Sequence, residues 1–515
     1  MEGGFVEPSF KLGHRLREAG LRDGDLDGAP EREVEIAIVG GGPAGLSAAW
    51  RLARRGLHDF LLLELEAEAG GTSRAGQSPA GRYPWGAHYI TAPGPDHPEL
   101  MSLLGEMNAL ESNAADATGG FARGREELLV REPAERLFYK GFWYPGLYPS
   151  VAASPGDRAE LARFEAEVHR LASLRDSRGR RAFTIPIARC SNDAEFTALD
   201  RISAADWLTE KGYRSPALHW LLDYACRDDY GLTLSDTSAW ALLFYHAARL
   251  DPGAQAEAEV LTWPAGNGAL VEHLAAAAGD RRLNQKLVVT VDERGPRVRI
   301  AALDTQSGKL EVIACKHAIV ATPHFVTTRI VRGLGDSGDG AVGGFEYGPW
   351  LVANLHLRGP LSSRGAAPCW DNVLYDSPSV GYVNATHQRG RERGPQILTY
   401  YLPMTDSDPA AARARLLEPD WGAFRDAVVA DLARAHGDLA ERLERLDVCR
   451  WGHGMIQPRL GHLFSEARRE ARKPLGRVHF AHSDLSGIAL FEEAFHHGRR
   501  AADAVLEARA RELGA

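Results

Sequence analysis

The sequence predicts an α/β fold, in which a Rossmann-like domain built from discontinuous segments holds an inserted second domain of mixed sheet and helices. Three observations predict it. Residues 34–64 have the pattern of a strand, a glycine-rich turn, a helix and a second strand. A different mixture of helices and short strands runs from about residue 93 to 260. A strand, a turn and a long helix return at residues 478–508. Because alternating strands and helices build a parallel sheet, these separated segments predict one interrupted domain.

The pattern places the domain boundaries as follows. Residues 1–33 are polar and glycine-rich, which predicts a partly ordered N-terminal extension. The nucleotide-binding domain is predicted to comprise residues 34–92, 261–325 and 446–515, and the second domain residues 93–260 and 326–445. Within the second domain, Lys140-Gly141 predicts a turn between two short strands. The polar run 227–231 is predicted to cap a helix or form a turn.

A glycine-rich turn at the end of the first strand predicts a dinucleotide site. Gly40, Gly42 and Gly45 form G-x-G-x-x-G, and Pro43 and Ala44 complete the turn. The first glycine permits the tight turn, the second leaves room for a pyrophosphate, and the third lets helix and strand pack closely. The helix that follows presents free N–H groups to the phosphates. NAD and FAD remain equally open at this point.

Two further segments extend the predicted site. Glu64 ends the second strand, where a carboxylate can accept hydrogen bonds from a ribose. Gly70-Gly71 then lets the backbone approach another part of the ligand, and Arg74 is a candidate phosphate contact. Gly86-Ala87 lies between aromatic residues, which favours close passage of the backbone along a flat ring.

The composition excludes several classes of protein. The chain has 515 residues, a net charge of −9 and no long basic block, which argues against a nucleic-acid partner. Five widely spaced cysteines predict reduced thiols, and no apolar stretch is long enough for a transmembrane segment. We therefore expect a cytoplasmic protein. His496 and His497 are adjacent and face different directions on a helix, so no metal site is predicted.

Four segments together resemble the flavin-containing amine oxidase superfamily, which also includes a protoporphyrinogen oxidase and phytoene desaturase branch. They are Gly40–Glu64, Gly70-Gly71, Ala321-Thr322-Pro323 and Phe480–Ala502. The resemblance implies an FAD-dependent oxidoreductase with non-covalent FAD.

Carried over residue by residue, the resemblance implies the cofactor contacts. Glu64 would hold the adenosine ribose, and Val288 would offer its backbone to the adenine. Ser483 or Asp484 would replace the usual acid of the family near the ribityl chain. Family members have the motif G-G-R where this chain has Gly-Gly-Thr-Ser-Arg, so Arg74 matches the family motif less closely. The remaining implied contacts are Gly70, Gly71 and Thr72 along the phosphates, Gly86, Ala87 and His88 near the isoalloxazine, Ala321, Thr322 and Pro323, and the helix start Leu490, Phe491 and Glu492.

The chain departs from typical amine oxidases at two positions. The strand Trp350–Leu357 lacks the lysine that many members place near flavin N5, and Leu490 stands where monoamine oxidases have an aromatic ring. The candidate catalytic residues are His88, His453 and Asn354, and the candidate substrate contacts are Trp350, Trp451 and Met455.

Three functions follow as alternatives. The first is hydride transfer from a small organic substrate, an amine or amino-acid-like molecule, to flavin N5. The second is desaturation or isomerisation of C–C bonds in an apolar substrate, which predicts an apolar pocket. The third is a binding protein whose FAD is structural. The sequence does not identify the electron acceptor, for which O2 is one candidate. It also does not identify the oligomeric state, for which a homodimer is one candidate.

Overall fold

A computed structural model describes residues 2–18, 26, 28–111, 120–253, 256–334, 344–389 and 393–514. The chain divides into two compact units, each built from three segments. The first unit comprises Met1–Glu7, Ala75–Asn267 and Glu346–Phe464, and the second comprises Pro8–Arg74, Gly268–Phe345 and Ser465–Ala515. Residues 75–92 and 446–464, predicted with the nucleotide-binding segments, lie in the first unit.

The second unit contains a seven-stranded sheet whose central strands are parallel. Residues 310–320 form one continuous strand of this sheet. The strand order is Arg282–Leu283, Phe60–Leu63, Arg32–Val39, Leu310–Val320, Arg297–Asp304 and Lys286–Arg294, with Val478–Phe480 paired to Leu310–Val320.

Helices cover this sheet and bury an aliphatic core. Ile36 to Val39 and Phe60 to Leu63 are buried throughout, as expected for strands covered on both faces. The helices of the second unit are Phe10–His14, Pro43–Arg54, Gly268–Ala278, His324–Ile330, Glu466–Ala471 and Phe491–Gly514.

The first unit is built on an eight-stranded mixed sheet. Its strand order is Glu2–Phe5, Leu443–Ile456, Tyr347–Leu357, Gln396–Pro403, Tyr382–Asn384, Asp371–Leu374, Glu135–Tyr139 and Phe142–Pro145. Lys140 and Gly141 have positive φ angles of 47° and 88° and form the predicted turn. Three short two-stranded pairs add Ala75–Ser78 with Gly81–Pro84, Tyr89–Thr91 with Val260–Thr262, and Leu250–Asp251 with Ala256–Glu257.

Pro409–Leu417 and Trp421–Ala433 pack against the sheet of the first unit, which has nine helices in its described residues. The nine helices are Pro98–Glu106, Pro155–Ser173, Ala194–Thr197, Ala204–Glu210, Pro216–Tyr230, Ala239–Ala247, Pro409–Leu417, Trp421–Ala433 and Leu439–Arg442. Of the helices in the described part of the chain, none has the length and apolar character needed to cross a bilayer.

Two sequence predictions agree with the structure, which adds detail to both. Residues 227–230 belong to the last turn of the helix Pro216–Tyr230, and Gly231 caps it in a left-handed conformation. Part of the predicted extension is ordered: Glu2–Phe5 pairs in parallel with the strand Leu443–Ile456, and Leu16 is buried. The composition of residues 2–5 does not predict this strand, because hydrogen bonds between the backbones of paired strands require no apolar side chains.

Candidate functional site

The candidate nucleotide site lies at the carboxyl edge of the sheet in the second unit. Val39, Leu63, Val320 and Phe480 are neighbours in register on parallel strands. The loops that follow them are tied together, because the N–H of Gly40 donates to the carbonyl of Leu63 at 2.8 Å. Ligands of open α/β sheets bind at this edge.

The glycines of the turn fit three distinct roles. A Cβ on Gly45 would lie 1.8 Å from the carbonyl oxygen of Gly40, so only glycine allows this helix to approach its strand. Gly40 has φ +102°, and a Cβ there would lie 2.9 Å from the oxygen of Ala321. A Cβ on Gly42 would meet no atom within 4 Å. The open space at Gly42 is where the sequence predicts the pyrophosphate.

Glu64 is held rigidly beside this turn. Its carboxylate accepts hydrogen bonds from the N–H of Gly41 at 2.5 Å and from the N–H of Glu66 at 2.8 Å. Burial raises the pKa of Glu64 above its ordinary value, and these two N–H donors oppose that shift. The carboxylate is therefore fixed at the strand end where ribose recognition was predicted.

The Gly-Gly segment packs directly over the glycine turn. The N–H of Gly70 donates to the carbonyl of Gly41 at 2.8 Å, and a Cβ on Gly71 would lie 3.4 Å from the Cα of Gly42. Thr72 lies in the short 3-10 turn Gly71–Ser73, and Arg74 follows as its C-terminal cap. The structure thus brings these predicted phosphate contacts to the first glycine turn.

The C-terminal loop of the second unit is fixed by buried polar groups. Asp484 is 1% exposed and accepts a hydrogen bond from the N–H of His324 at 2.8 Å. Ser483 begins the same 3-10 turn. Phe491 and Glu492 are buried in the first turn of the final helix, and Leu490 immediately before it is partly buried.

These residues fit FAD. The open side of Gly42, the fixed carboxylate of Glu64 and the close backbone packing at Gly40 and Gly45 suit a dinucleotide. Ala321 and Thr322 contact the glycine turn, and Pro323 follows as the N-cap of the helix His324–Ile330. Val288 is buried in the strand Lys286–Arg294. When bound, FAD supplies a hydride acceptor.

A separate group of candidate residues lies in the first unit, around Gly86, Ala87 and His88. The hydroxyl of Tyr401 donates to the carbonyl of Gly86 at 2.8 Å, and that of Thr262 donates to the carbonyl of His88 at 2.7 Å. Burial lowers the pKa of His88 to about 4. His88 is consequently neutral at neutral pH, so it offers a polar anchor and a weak base.

The predicted substrate contacts gather on one face of the sheet in the first unit. Trp350 and Trp451 are paired across neighbouring strands, and the indole N–H of Trp451 donates to the carbonyl of Trp85 at 2.7 Å. Both residues and Met455 pack in an apolar cluster with Tyr401. The structure brings these three residues together.

Two predicted catalytic residues, Asn354 and His453, lie outside the apolar cluster that contains Trp350, Trp451 and Tyr401. Asn354 is fully buried, donates to the carbonyl of Pro84 at 3.1 Å and accepts from the hydroxyl of Thr399 at 2.7 Å. Its amide therefore orients the chain before Gly86. The ring of His453 lies 5.8 Å from that of Tyr347 and is partly exposed.

Sequence reasoning missed a group of three carboxyls on this face. Asp371 and Glu135 are directly paired on adjacent parallel strands, and the hydroxyl of Tyr224 donates to Asp371 at 3.1 Å. Asp228 lies on the same helix as Tyr224. Solvent reaches all three carboxyls. None of them has a lysine or arginine partner within 4 Å in the described part of the chain.

The surrounding protein raises the pKa values of all three carboxyls. Burial and the charge of Asp229 raise the pKa of Asp228 to about 7, and burial with Glu257 and Glu132 raises the pKa of Glu135 to about 7. Burial and Asp228 raise the pKa of Asp371 well above its usual range. The nearby Arg249 is already paired with Asp229 at 2.7 Å. The positive charges of Arg249 and Arg227 oppose the rise in the pKa of Asp228 without cancelling it.

The sequence contained one signal for this group. The run Arg227-Asp228-Asp229 was recognised as a dense polar cluster. Nothing in the sequence could pair residue 135 with residue 371, because their register is set by the sheet. Among the described residues, no group of three or more histidines, cysteines, aspartates or glutamates could hold a metal ion.

Comparison with known proteins supplies the family. A family model described as flavin containing amine oxidoreductase matches residues 43–506. The peroxisomal N(1)-acetyl-spermine/spermidine oxidase of Bos taurus is 41% identical over 98 residues, which are 18% of this chain and 19% of that protein. The match thus spans about a fifth of that relative.

Solved structures share the fold over nearly the whole chain. Putrescine oxidase bound to putrescine has a TM-score of 0.67 at 18% identity, covering 92% of this chain and 99% of that one. Cyclohexylamine oxidase from Brevibacterium oxydans IH-35A has a TM-score of 0.64 at 18% identity, covering 93% and 99%. These findings confirm the predicted fold, the cofactor FAD and the class of FAD-dependent oxidoreductases. The chain belongs to the family of flavin containing amine oxidoreductases.

Proposed function

We propose that this protein uses FAD to oxidise a cationic amine. The observation that carries the proposal is the group of three carboxyls, Glu135, Asp228 and Asp371, none of which has a lysine or arginine within 4 Å among the residues that the structure describes. Carboxylates crowded close to one another are stabilised by a bound cation, and an ammonium ion provides that charge. The amine substrates in the names of the related oxidases support the same choice.

In the proposed reaction, the carboxylates bind an ammonium group of the substrate and orient it. Tyr401 and Thr262 fix the Gly86–His88 segment, so the reacting carbon meets a rigid backbone. Asp228, whose pKa is about 7, accepts a proton from the reacting nitrogen near neutral pH. When bound, FAD would supply the acceptor for a hydride from the substrate carbon. The iminium ion left by that loss would be hydrolysed by water to a carbonyl compound and ammonium or, from a secondary amine, a smaller ammonium ion.

The carboxyl group argues against the desaturase and isomerase alternative. That alternative predicted an apolar pocket, whereas Glu135 and Asp371 lie side by side on the face that carries Trp350 and Tyr401. An apolar chain would leave these carboxyls without partners, which is unfavourable. The same proposal includes O2 as the electron acceptor, a homodimeric state and a cytoplasmic location.

Anaerobic reduction of the bound flavin tests the proposal. The holoenzyme is mixed with 1,4-diaminobutane, butylamine or an unsaturated fatty acid, and the visible absorption of the flavin is followed. We expect the amines to bleach the flavin and the fatty acid to leave it oxidised. Amine oxidation would be contradicted if only the fatty acid bleached the flavin. It would also be contradicted if no amine of a broad panel bleached the flavin.

A double variant tests the role of the carboxyls. Glu135→Gln with Asp371→Asn is expected to raise the KM for 1,4-diaminobutane about tenfold, with a smaller effect on kcat, because it removes ground-state binding. Glu165→Gln is the matched control, since this exposed glutamate lies on the helix Pro155–Ser173. An unchanged KM in the double variant would remove the carboxyls from substrate binding.

A further inference from the structure

Residues 8–18, here called the arm, lie against the nucleotide-binding edge of the second unit. They precede residues 43–506, the segment that the family model matches. The N–H of Ser9 donates to one carboxylate oxygen of Glu66 at 2.7 Å, and its hydroxyl donates to the other oxygen at 2.9 Å. Two hydrogen bonds from one residue to both oxygens hold the Glu66 side chain in a single orientation.

Glu66 is linked directly to the predicted ribose-binding residue. Its N–H donates to the carboxylate of Glu64 at 2.8 Å, and its carbonyl accepts from the N–H of Gln285 at 3.1 Å. The carboxylate of Glu64 also accepts from Gly41 in the glycine turn. The arm therefore reaches the glycine turn through a continuous chain of hydrogen bonds from Ser9 through Glu66 to Glu64.

Apolar contacts hold the arm in the same place. Leu16 is 4% exposed and packs in the core cluster that includes Val288, with Leu65 at its edge. A Cβ on Gly13 would lie 3.9 Å from the side chain of Leu65, so the helix Phe10–His14 lies close to this residue. Val288 and Glu64 are the two residues predicted to contact adenosine. The arm shares a core cluster with Val288 and is joined to Glu64 through Glu66.

We propose that the arm is a positioning element for the adenosine end of FAD, in which Ser9 acts through Glu66 to fix Glu64. Ser9 does not need to touch the cofactor. It removes conformational freedom from the Glu64–Glu66 turn before binding, and a carboxylate that is already oriented loses less entropy when it binds a ribose. The inference rests on the cofactor, and it is independent of the substrate.

Rebinding of FAD to the full-length protein tests the proposal. FAD is removed from each variant, the apoprotein is titrated with FAD, and quenching of flavin fluorescence gives the Kd. We expect the Kd to rise about fivefold for Ser9→Ala and at least about tenfold for Glu66→Ala, since these changes remove one and two hydrogen bonds to a charged group. Ser9→Thr keeps the hydroxyl and is expected to restore binding to within about twofold of wild type.

Two controls separate positioning from charge and from stability. Glu68→Ala removes the same charge from an exposed position of the same loop, so it reports the effect of charge alone. The Tm of each apoprotein reports whether the fold is intact, and equal values with a raised Kd support the proposal. A Kd within twofold of wild type for both Ser9→Ala and Glu66→Ala would overturn it. Because no substrate is present, the result does not depend on amine oxidation.

Discussion

At the scale of single residues, Gly42 is distinguished by the empty space around its missing side chain. Gly45, three residues later, has no such freedom because the oxygen of Gly40 blocks its Cβ position. Gly42 also has φ −73°, a value that any residue can adopt. Packing of the protein itself therefore does not require glycine at position 42, and the predicted contact with the pyrophosphate supplies a reason for glycine there.

Gly42→Val is expected to fold normally and to lose FAD. Its γ-methyl groups would fill the space needed by the pyrophosphate and weaken binding by at least about 100-fold, which corresponds to about 2.7 kcal/mol. The FAD content of the purified protein and the Tm of the apoprotein are the two measurements. A variant that retains stoichiometric FAD would show that the pyrophosphate lies elsewhere.

At the scale of elements, the two helices of the second unit that start at Pro43 and Phe491 pack at unusually close range. A Cβ on Gly498, in the final helix, would lie 2.0 Å from the carbonyl oxygen of Ala44. The obstacle is backbone, which cannot rotate away as a side chain would. The position of the nucleotide-binding helix is therefore set partly by a glycine more than 450 residues away in sequence.

Gly498→Ala is expected to force these helices apart. Overpacking of this kind lowers the free energy of unfolding by about 1–3 kcal/mol, and the shifted helix weakens FAD binding as well. Denaturant unfolding measures the first effect. The control is Gly105→Ala, where the added Cβ meets no atom within 4 Å and helix propensity favours alanine. Equal stabilities for the two variants would contradict the predicted close packing.

At the scale of the whole molecule, each unit is assembled from three separated segments, so its electrostatics depend on long-range folding. The carboxyls of the first unit come from residues 135, 228 and 371, and folding crowds them together. The folded state therefore prefers their protonated forms. This preference stabilises the fold when the groups are protonated and is lost as the pH rises through their folded pKa values.

Asp228→Asn tests this pH dependence. The pKa of Asp228 moves from 3.8 to about 7 on folding, so the folded chain binds more protons than the unfolded chain between these values. Wild type is expected to lose about 1–2 kcal/mol relative to the variant as the pH rises from 4 to 8, after allowance for solvent screening. Denaturant unfolding at each pH measures the difference.

Asp376→Asn removes the same charge from an exposed position of the first unit and serves as the control. A saturating amine is expected to stabilise wild type more at pH 8 than at pH 6, because the carboxyls must ionise to bind it. If the stability difference between wild type and Asp228→Asn stays constant from pH 4 to 8, Asp228 does not carry the raised pKa.

Much of the nucleotide site could be predicted from the sequence, because its parts are local. Gly40, Gly42 and Gly45 lie within six consecutive residues, and the strand and helix around them have clear patterns. Glu64 follows at the end of the next strand. The arm was harder to predict, since Ser9 and Glu66 are 57 residues apart and polar segments have no periodicity that shows where they dock.

The sequence by itself determined the Rossmann-like pattern, the segmented domain and, through its resemblance to a family, FAD as the cofactor. These depend on backbone conformation and on local periodicity, which neighbouring residues specify. Only the tertiary structure decided that Glu135 lies beside Asp371 and that Asn354 anchors Pro84. These contacts depend on strand register and on distant packing, because a sheet joins residues that are far apart in the chain.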